Sequence, residues 1–128
     1  MGPDCAGGVD PYYLGYFDQF NRGLFFEAHE VLEHLWLKSR NGPNGSFYKG
    51  LIQLAGAFVH LRRDRPRPAA ALFKLADANL RKYPDRHEHL AVPAVLALIR
   101  HWQGRLDQPS PAANALQCEP PPALHLEI

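Results

Sequence analysis

The sequence predicts an all-α fold, a compact bundle of about five helices followed by a proline-rich extended tail. Apolar residues recur at helical spacing in five separate segments, and short stretches rich in Gly, Pro and Asn divide them. Before the tail, no segment combines β-branched residues with strict alternation. We therefore expect a flexible N-terminus over residues 1–9, one helical domain over residues 10–107 and an extended tail over residues 108–128.

Composition and charge narrow the range of partners. The chain of 128 residues has 14 Lys and Arg against 13 Asp and Glu, a net charge of +1, which gives no global field for binding nucleic acid or an acidic membrane. The most apolar run, residues 51–61, is too short to span a bilayer. Cys5 and Cys118 lie in Gly/Pro-rich ends, so we expect a reduced, cytoplasmic protein. Its partner would be a small ligand or another protein, in an oligomeric state that the sequence does not indicate.

The first two helices are predicted to form a hairpin. Asp10 can cap a helix that begins with Pro11 at its first position and ends near Asn21. Gly23 supplies a stop before the second helix, which spans about residues 24–40. On that helix the apolar residues form one broad face.

The remaining helices follow from breakers and caps. Ser46 is a natural N-cap for a third helix over residues 47–63, which is apolar around most of its circumference and should be central. A fourth helix is expected over residues 69–83 with Tyr83 facing inward, followed by a polar segment and a fifth helix opened by Pro93. In the tail, Leu124 and Leu126 alternate with polar residues, so this stretch can dock as a strand-like arm.

Helices two and three carry the polar residues of greatest interest. His29 and Glu33 lie one turn apart on the border of the apolar face of helix two, and Glu30 lies on its solvent side. Gln53 and His60 lie two turns apart on a narrow polar stripe of helix three, with Lys49 and Gly56. Partly buried carboxylates and imidazoles need a partner, which is a charge, a hydrogen bond or a metal.

These residues belong to two joined motifs. The first runs Phe20-Asn21-x-Gly23-x-Phe25-Phe26-Glu27-x-His29-Glu30-x-x-Glu33-x-x-Trp36, and the second runs from Phe47 through Gly50-Leu51-Ile52-Gln53-Leu54-Ala55 to His60. Over about residues 16–80 the chain resembles the domain-of-unknown-function 309 family. The resemblance implies a compact helical fold of small prokaryotic proteins and brings no established reaction, substrate or cofactor. His29, Glu30, Glu33 and Gln53 fall on motif positions.

Three interpretations of the polar cluster are open. It can be a satisfied network that fixes the register of helices two and three, or a small-ligand pocket with Glu30 on its solvent side. It can also be a metal site, although His29-Glu30-x-x-Glu33 lacks the second histidine of the His-Glu-x-x-His zinc motif. His87-Glu88-His89 brings two further imidazoles close together but needs additional ligands.

The predicted function is a helical binding or interaction domain with a polar cluster between helices two and three. Its predicted ligand-binding residues are His29, Glu30, Glu33, Gln53 and His60. The alternative is a metal-assisted hydrolytic enzyme that uses His29, Glu33 and His60. The sequence contains no nucleophile elbow and no phosphate-binding loop, so it names neither a reaction nor a cofactor.

Overall fold

The computed structural model describes residues 9–107 and 122–127. Its five helices are α1 (Pro11–Asn21), α2 (Phe25–Ser39), α3 (Gly45–Arg62), α4 (Pro66–Leu80) and α5 (Val92–Leu106), with short strands β1 (Arg86–His87) and β2 (Leu90–Ala91) before α5. The predicted helical class and the number of helices are confirmed. Among the described residues, no helix has the length and apolarity needed to cross a membrane.

Helix α3 is central, as its nearly continuous apolar circumference predicts. The ring of Phe58 on α3 packs against one aromatic ring from every other helix, with centroid distances between 5.0 and 5.8 Å. The four partners are Phe20 on α1, Phe25 on α2, Phe73 on α4 and Trp102 on α5. One side chain therefore joins all five helices in a single core.

Two helices begin earlier than the sequence indicated. Helix α3 starts at Gly45 after Asn44, and Ser46 is not its N-cap. A Cβ atom at Gly45 would collide with the carbonyl oxygen of Arg40, so only glycine fits this tight connection. Helix α4 starts at Pro66, because prolines at positions 66 and 68 lie in a first turn whose N–H groups have no intrahelical acceptor.

Tyr83 lies beyond the end of α4, so the predicted helix boundary was wrong, but its side chain does pack, partly buried, against the core. Its hydroxyl accepts a hydrogen bond from the backbone N–H of Phe47 at 2.9 Å and donates to the carbonyl of Pro43 at 2.7 Å. The tyrosine thus satisfies an N–H group in the first turn of α3, where a capping side chain would otherwise act.

The segment predicted as polar forms a β-hairpin with the two residues that follow it. Arg86 pairs with Ala91 and His87 with Leu90, and the two turn residues Glu88 and His89 have φ of 49° and 61°. Such left-handed pairs suit the twist of a two-residue hairpin. The hydroxyl of Tyr13 donates to the carbonyl of Glu88 at 2.7 Å, which anchors the turn to α1.

The described part of the tail, residues 122–127, lies against the helices and the hairpin. Leu126 forms an antiparallel bridge with Leu90. The side-chain amide of Asn21 donates to the carbonyl of Leu124 at 2.6 Å, and its oxygen accepts the N–H of Leu124 at 2.7 Å. Here the tail does dock as an arm. Val9 of the predicted N-terminal segment is buried, and the predictions for Cys5, Cys118 and the rest of both ends lie outside the described residues.

Candidate functional site

A cavity of about 330 Å³ opens between α2, α3 and α4. The polar stripe of α3 forms its floor, because Lys49, Gln53, Gly56 and His60 all line it. Gly56 keeps the floor low, since a Cβ atom there would lie 3.2 Å from Leu72 on α4. The other lining residues are Phe26 and His29 from α2, Ile52 and Val59 from α3, Arg63 at the end of α3 and Leu72 from α4.

The structure brings three of the five predicted site residues together. His29, Gln53 and His60 line the cavity, whereas Glu30 and Glu33 do not. Glu30 is exposed on the outer face of α2. The carboxylate of Glu33 lies 3.7 Å from Nε2 of His29 with 43% of its side chain exposed, and this distance is longer than a hydrogen bond.

The partner of Gln53 is on α4 and not on α2. Its side-chain oxygen accepts a hydrogen bond from the amide nitrogen of Asn79 at 2.8 Å. The oxygen of Asn79 in turn accepts from the ammonium of Lys82 at 3.1 Å. The polar stripe of α3 therefore pairs across the α3–α4 contact, where the sequence placed its partners on helix two.

Both cavity histidines have a buried ring nitrogen without a partner. Nδ1 of His29 and Nδ1 of His60 are inaccessible to solvent and make no hydrogen bond. The pKa of His60 is lowered from its usual value, first by burial and then by the positive charges of Arg65 and Arg63. Burial and both cations disfavour the imidazolium, so His60 is neutral near pH 7.

Sequence reasoning missed two cationic members of the cavity. Lys49 was placed on the polar stripe but not assigned to the site, and Arg63 was not assigned to it either. The ammonium of Lys49 lies 4.4 Å from the ring centroid of Trp36, which is a cation–π contact. The signal for Lys49 was its position one turn before Gln53 on the same face of α3.

The geometry gives no support to a metal site built from His29, Glu33 and His60. Over residues 9–107 and 122–127, no group of three or more His, Cys, Asp or Glu side chains is arranged to hold a metal ion. Glu33 lies outside the cavity that His29 and His60 share. His87, from the other imidazole pair, contacts the side-chain oxygen of Asn44 at 2.7 Å through Nε2.

The comparisons with known proteins agree with the motifs. The sequence profile of a domain of unknown function, DUF309, matches residues 13–81, more than half of the chain. The chain belongs to the DUF309 family. The match includes α2, α3, α4 and every residue that lines the cavity between them. It ends one residue before Lys82, which lies outside the cavity.

A relative adds no activity to the DUF309 assignment. An uncharacterised protein of Aquifex aeolicus (strain VF5) is 28% identical over 85 residues, which are 66% of this chain and 26% of that protein. The chain thus spans about a quarter of the length of that relative. No solved structure matches this DUF309 chain.

Proposed function

We propose that this DUF309 chain is a small-molecule-binding domain whose site is the cavity between α2, α3 and α4. The observation that carries the proposal is a half-open cavity of about 330 Å³ in which His29, Gln53 and His60 meet. Ligand sites in proteins are concave, largely apolar and furnished with a few convergent polar groups. This cavity combines those properties within the region that defines the family.

The state of the histidines supports binding over a purely structural network. A network that fixes helix register would satisfy its buried polar atoms, yet Nδ1 of His29 and of His60 make no hydrogen bond. Gln53 does form a side-chain hydrogen bond, but its partner Asn79 is on α4 and not on α2. Register is already fixed by the aromatic packing around Phe58.

Filling the cavity tests the proposal. The probes are benzoate, benzamide and benzylammonium, each titrated against the full chain by isothermal calorimetry and by histidine chemical shifts. Leu72→Trp places a larger side chain on the cavity wall, and we expect it to abolish binding of whichever probe the wild type takes. The matched control is Leu75→Trp, because Leu75 lies three residues further along α4, is 49% exposed and does not line the cavity.

Two results would overturn the proposed site. If none of the three probes bound the wild type, the cavity would not be a binding site for small aromatic molecules. If a probe bound equally well to Leu72→Trp and to Leu75→Trp, its site would lie elsewhere. Circular dichroism and thermal melts of both variants establish that each is folded.

A further inference from the structure

We infer that the ligand of this cavity is a small organic anion, a carboxylate or phosphate group carried on an apolar body; this rests on the proposed binding function. Its chemistry follows from the polarity of the groups around the cavity. The charged side chains that line the cavity are cations, and Gln53 and His60 are set to donate hydrogen bonds. The apolar body would contact the wall formed by Phe26, Ile52, Val59 and Leu72.

The charged side chains that line the cavity are both positive, and the carboxylate of Glu33 lies outside the lining, 3.7 Å from Nε2 of His29. Lys49 and Arg63 line it, and no aspartate or glutamate does. Within the described residues, neither cation forms an ion pair. Cations without a counter-ion in a partly enclosed, low-dielectric site focus a positive potential and favour an anionic guest.

The orientation of Gln53 follows from Lys82, which lies outside the cavity. A lysine ammonium only donates hydrogen bonds, so the atom of Asn79 that faces it must be the oxygen. The amide nitrogen of Asn79 then faces Gln53, and the atom of Gln53 that it meets must be the oxygen. The NH₂ group of Gln53 is left to donate elsewhere. Asn79 and Lys82 are thus positioning residues for a donor on the cavity floor.

The buried ring nitrogen of His60 defines the tautomer of that histidine. A buried N–H without an acceptor is rarer in proteins than a buried acceptor without a donor. Since Nδ1 of His60 is buried and unpartnered, the proton of its neutral ring belongs on Nε2. His60 then offers an Nε2–H donor, as an oxyanion requires, whereas Nε2 of His29 lies 3.7 Å from the carboxylate of Glu33. The lowered pKa of His60 is consistent with the neutral form.

Three probes of similar size test separately whether the site exists and which class of ligand it binds. Benzoate, benzamide and benzylammonium share a ring and differ in charge. We expect benzoate to bind the full chain about tenfold more tightly than benzamide, and benzylammonium to show no binding. Phenyl phosphate in place of benzoate shows whether carboxylate or phosphate is preferred. If benzamide or benzylammonium bound as tightly as benzoate, the anion inference would fail while the binding function stood. If no probe bound, both would fail.

Reversing one donor gives a sharper test. Gln53→Glu keeps an oxygen that can accept from Asn79 but replaces the NH₂ donor by a carboxylate oxygen. We expect benzoate affinity to fall by about a hundredfold or more and benzylammonium binding to appear. The control is Gln103→Glu on α5, which makes the same change of charge outside the cavity lining. Equal losses in the two variants would overturn a direct role of the Gln53 donor.

The relay through Asn79 is tested from the surface, where folding is not at risk. Lys82→Glu supplies an acceptor in place of a donor, so the amides of Asn79 and Gln53 must both turn and present the carbonyl of Gln53 to the cavity. We expect benzoate affinity to fall about tenfold, whereas Lys74→Glu, the same charge reversal at an exposed position of α4, leaves it within about twofold. Equal effects of the two reversals would show that only long-range charge acts, and would overturn the relay.

Discussion

At the scale of single residues, His60 couples the cavity to pH. Its folded-state pKa is lowered below the ordinary value of 6.5 by burial, Arg65 and Arg63. Between the two pKa values the unfolded chain therefore binds more protons than the folded chain, so stability rises with pH through that window. As pH falls below about 6.5, the folded state loses stability until the lower folded pKa is passed.

Replacing His60 should weaken the dependence of stability on pH. His60→Gln removes the titrating group, so its melting temperature should fall less than that of the wild type between about pH 7 and about pH 5. The measurement is the difference between the two melting curves across that range, because every other pH-dependent contribution is common to both proteins. Parallel curves would show that His60 titrates normally in the folded protein.

Gly23 and His89 both adopt a positive φ, but only one of the two is a glycine. Gly23 has φ of 78°, and a Cβ atom there would lie 2.9 Å from a guanidinium nitrogen of Arg62, so the α1–α2 connection needs glycine. His89 adopts φ of 61° with a full side chain. The hairpin tolerates this cost because its backbone is held from outside, by Tyr13 at Glu88 and by the N–H of Glu127 at the carbonyl of His89.

At the scale of elements, the docked arm of residues 122–127 completes the hairpin edge. Leu124 is 6% exposed, and Glu127 donates its N–H to the carbonyl of His89 at 2.7 Å. Its pairing covers a strand edge that would otherwise present unpaired backbone groups. The arm therefore contributes to the stability of the helical domain.

Trimming the arm at one residue tests this contribution. Leu124→Ala should lower the free energy of unfolding by about 2–3 kcal/mol, because a buried leucine loses its contacts and leaves a cavity. The matched control is His125→Ala, since His125 is exposed on the same segment and its loss should cost less than about 0.5 kcal/mol. Urea denaturation measures both, and indistinguishable midpoints would mean that the arm detaches in solution.

The alternation of Leu124 and Leu126 indicated an arm, but nothing in the sequence named its partner. Strands of two residues, such as Leu90–Ala91, are too short to show a period. The Glu88-His89 turn also lacks the glycine or asparagine that marks such hairpins. Both features depend on tertiary contacts with Tyr13 and Asn21, which are far away in sequence.

At the scale of the whole molecule, the helices were predictable and the site was predictable only in part. Apolar periodicity and Gly/Pro breakers indicated five helices, because each helix must bury one face in the common core. The partner of the polar stripe was not predictable, since α3 is apolar on nearly all sides and either neighbour can lie over Gln53. The structure shows that α4 is the neighbour that lies over Gln53. Gly50 permits a close approach of α3 and α4, since a Cβ atom there would lie 2.9 Å from Leu80 Cγ, and this approach brings Asn79 beside Gln53.

The convergence of all five helices on Phe58 gives a prediction for global stability. Phe58→Ala should lower the free energy of unfolding by about 3–5 kcal/mol, a large part of the total for a domain of this size. Leu37→Ala on α2 is the control, because Leu37 is 56% exposed and should change stability by less than about 0.5 kcal/mol. A single cooperative urea transition is expected for both variants. A Phe58→Ala loss below about 1 kcal/mol would contradict the central role of this ring.

Because Lys49 contacts Trp36, the intrinsic tryptophan fluorescence of the protein can report ligand binding in the cavity. The indole of Trp36 is half-buried beside an ammonium at 4.4 Å, while Trp102 is 1% exposed in the core, 5.4 Å from the ring of Phe58. An excited indole shifts its electron density, so its emission responds to a nearby charge. A guest that draws Lys49 from the indole would change the fluorescence of Trp36 and leave that of Trp102 as an internal reference. Occupancy of the cavity can then be followed in the unlabelled protein by light alone.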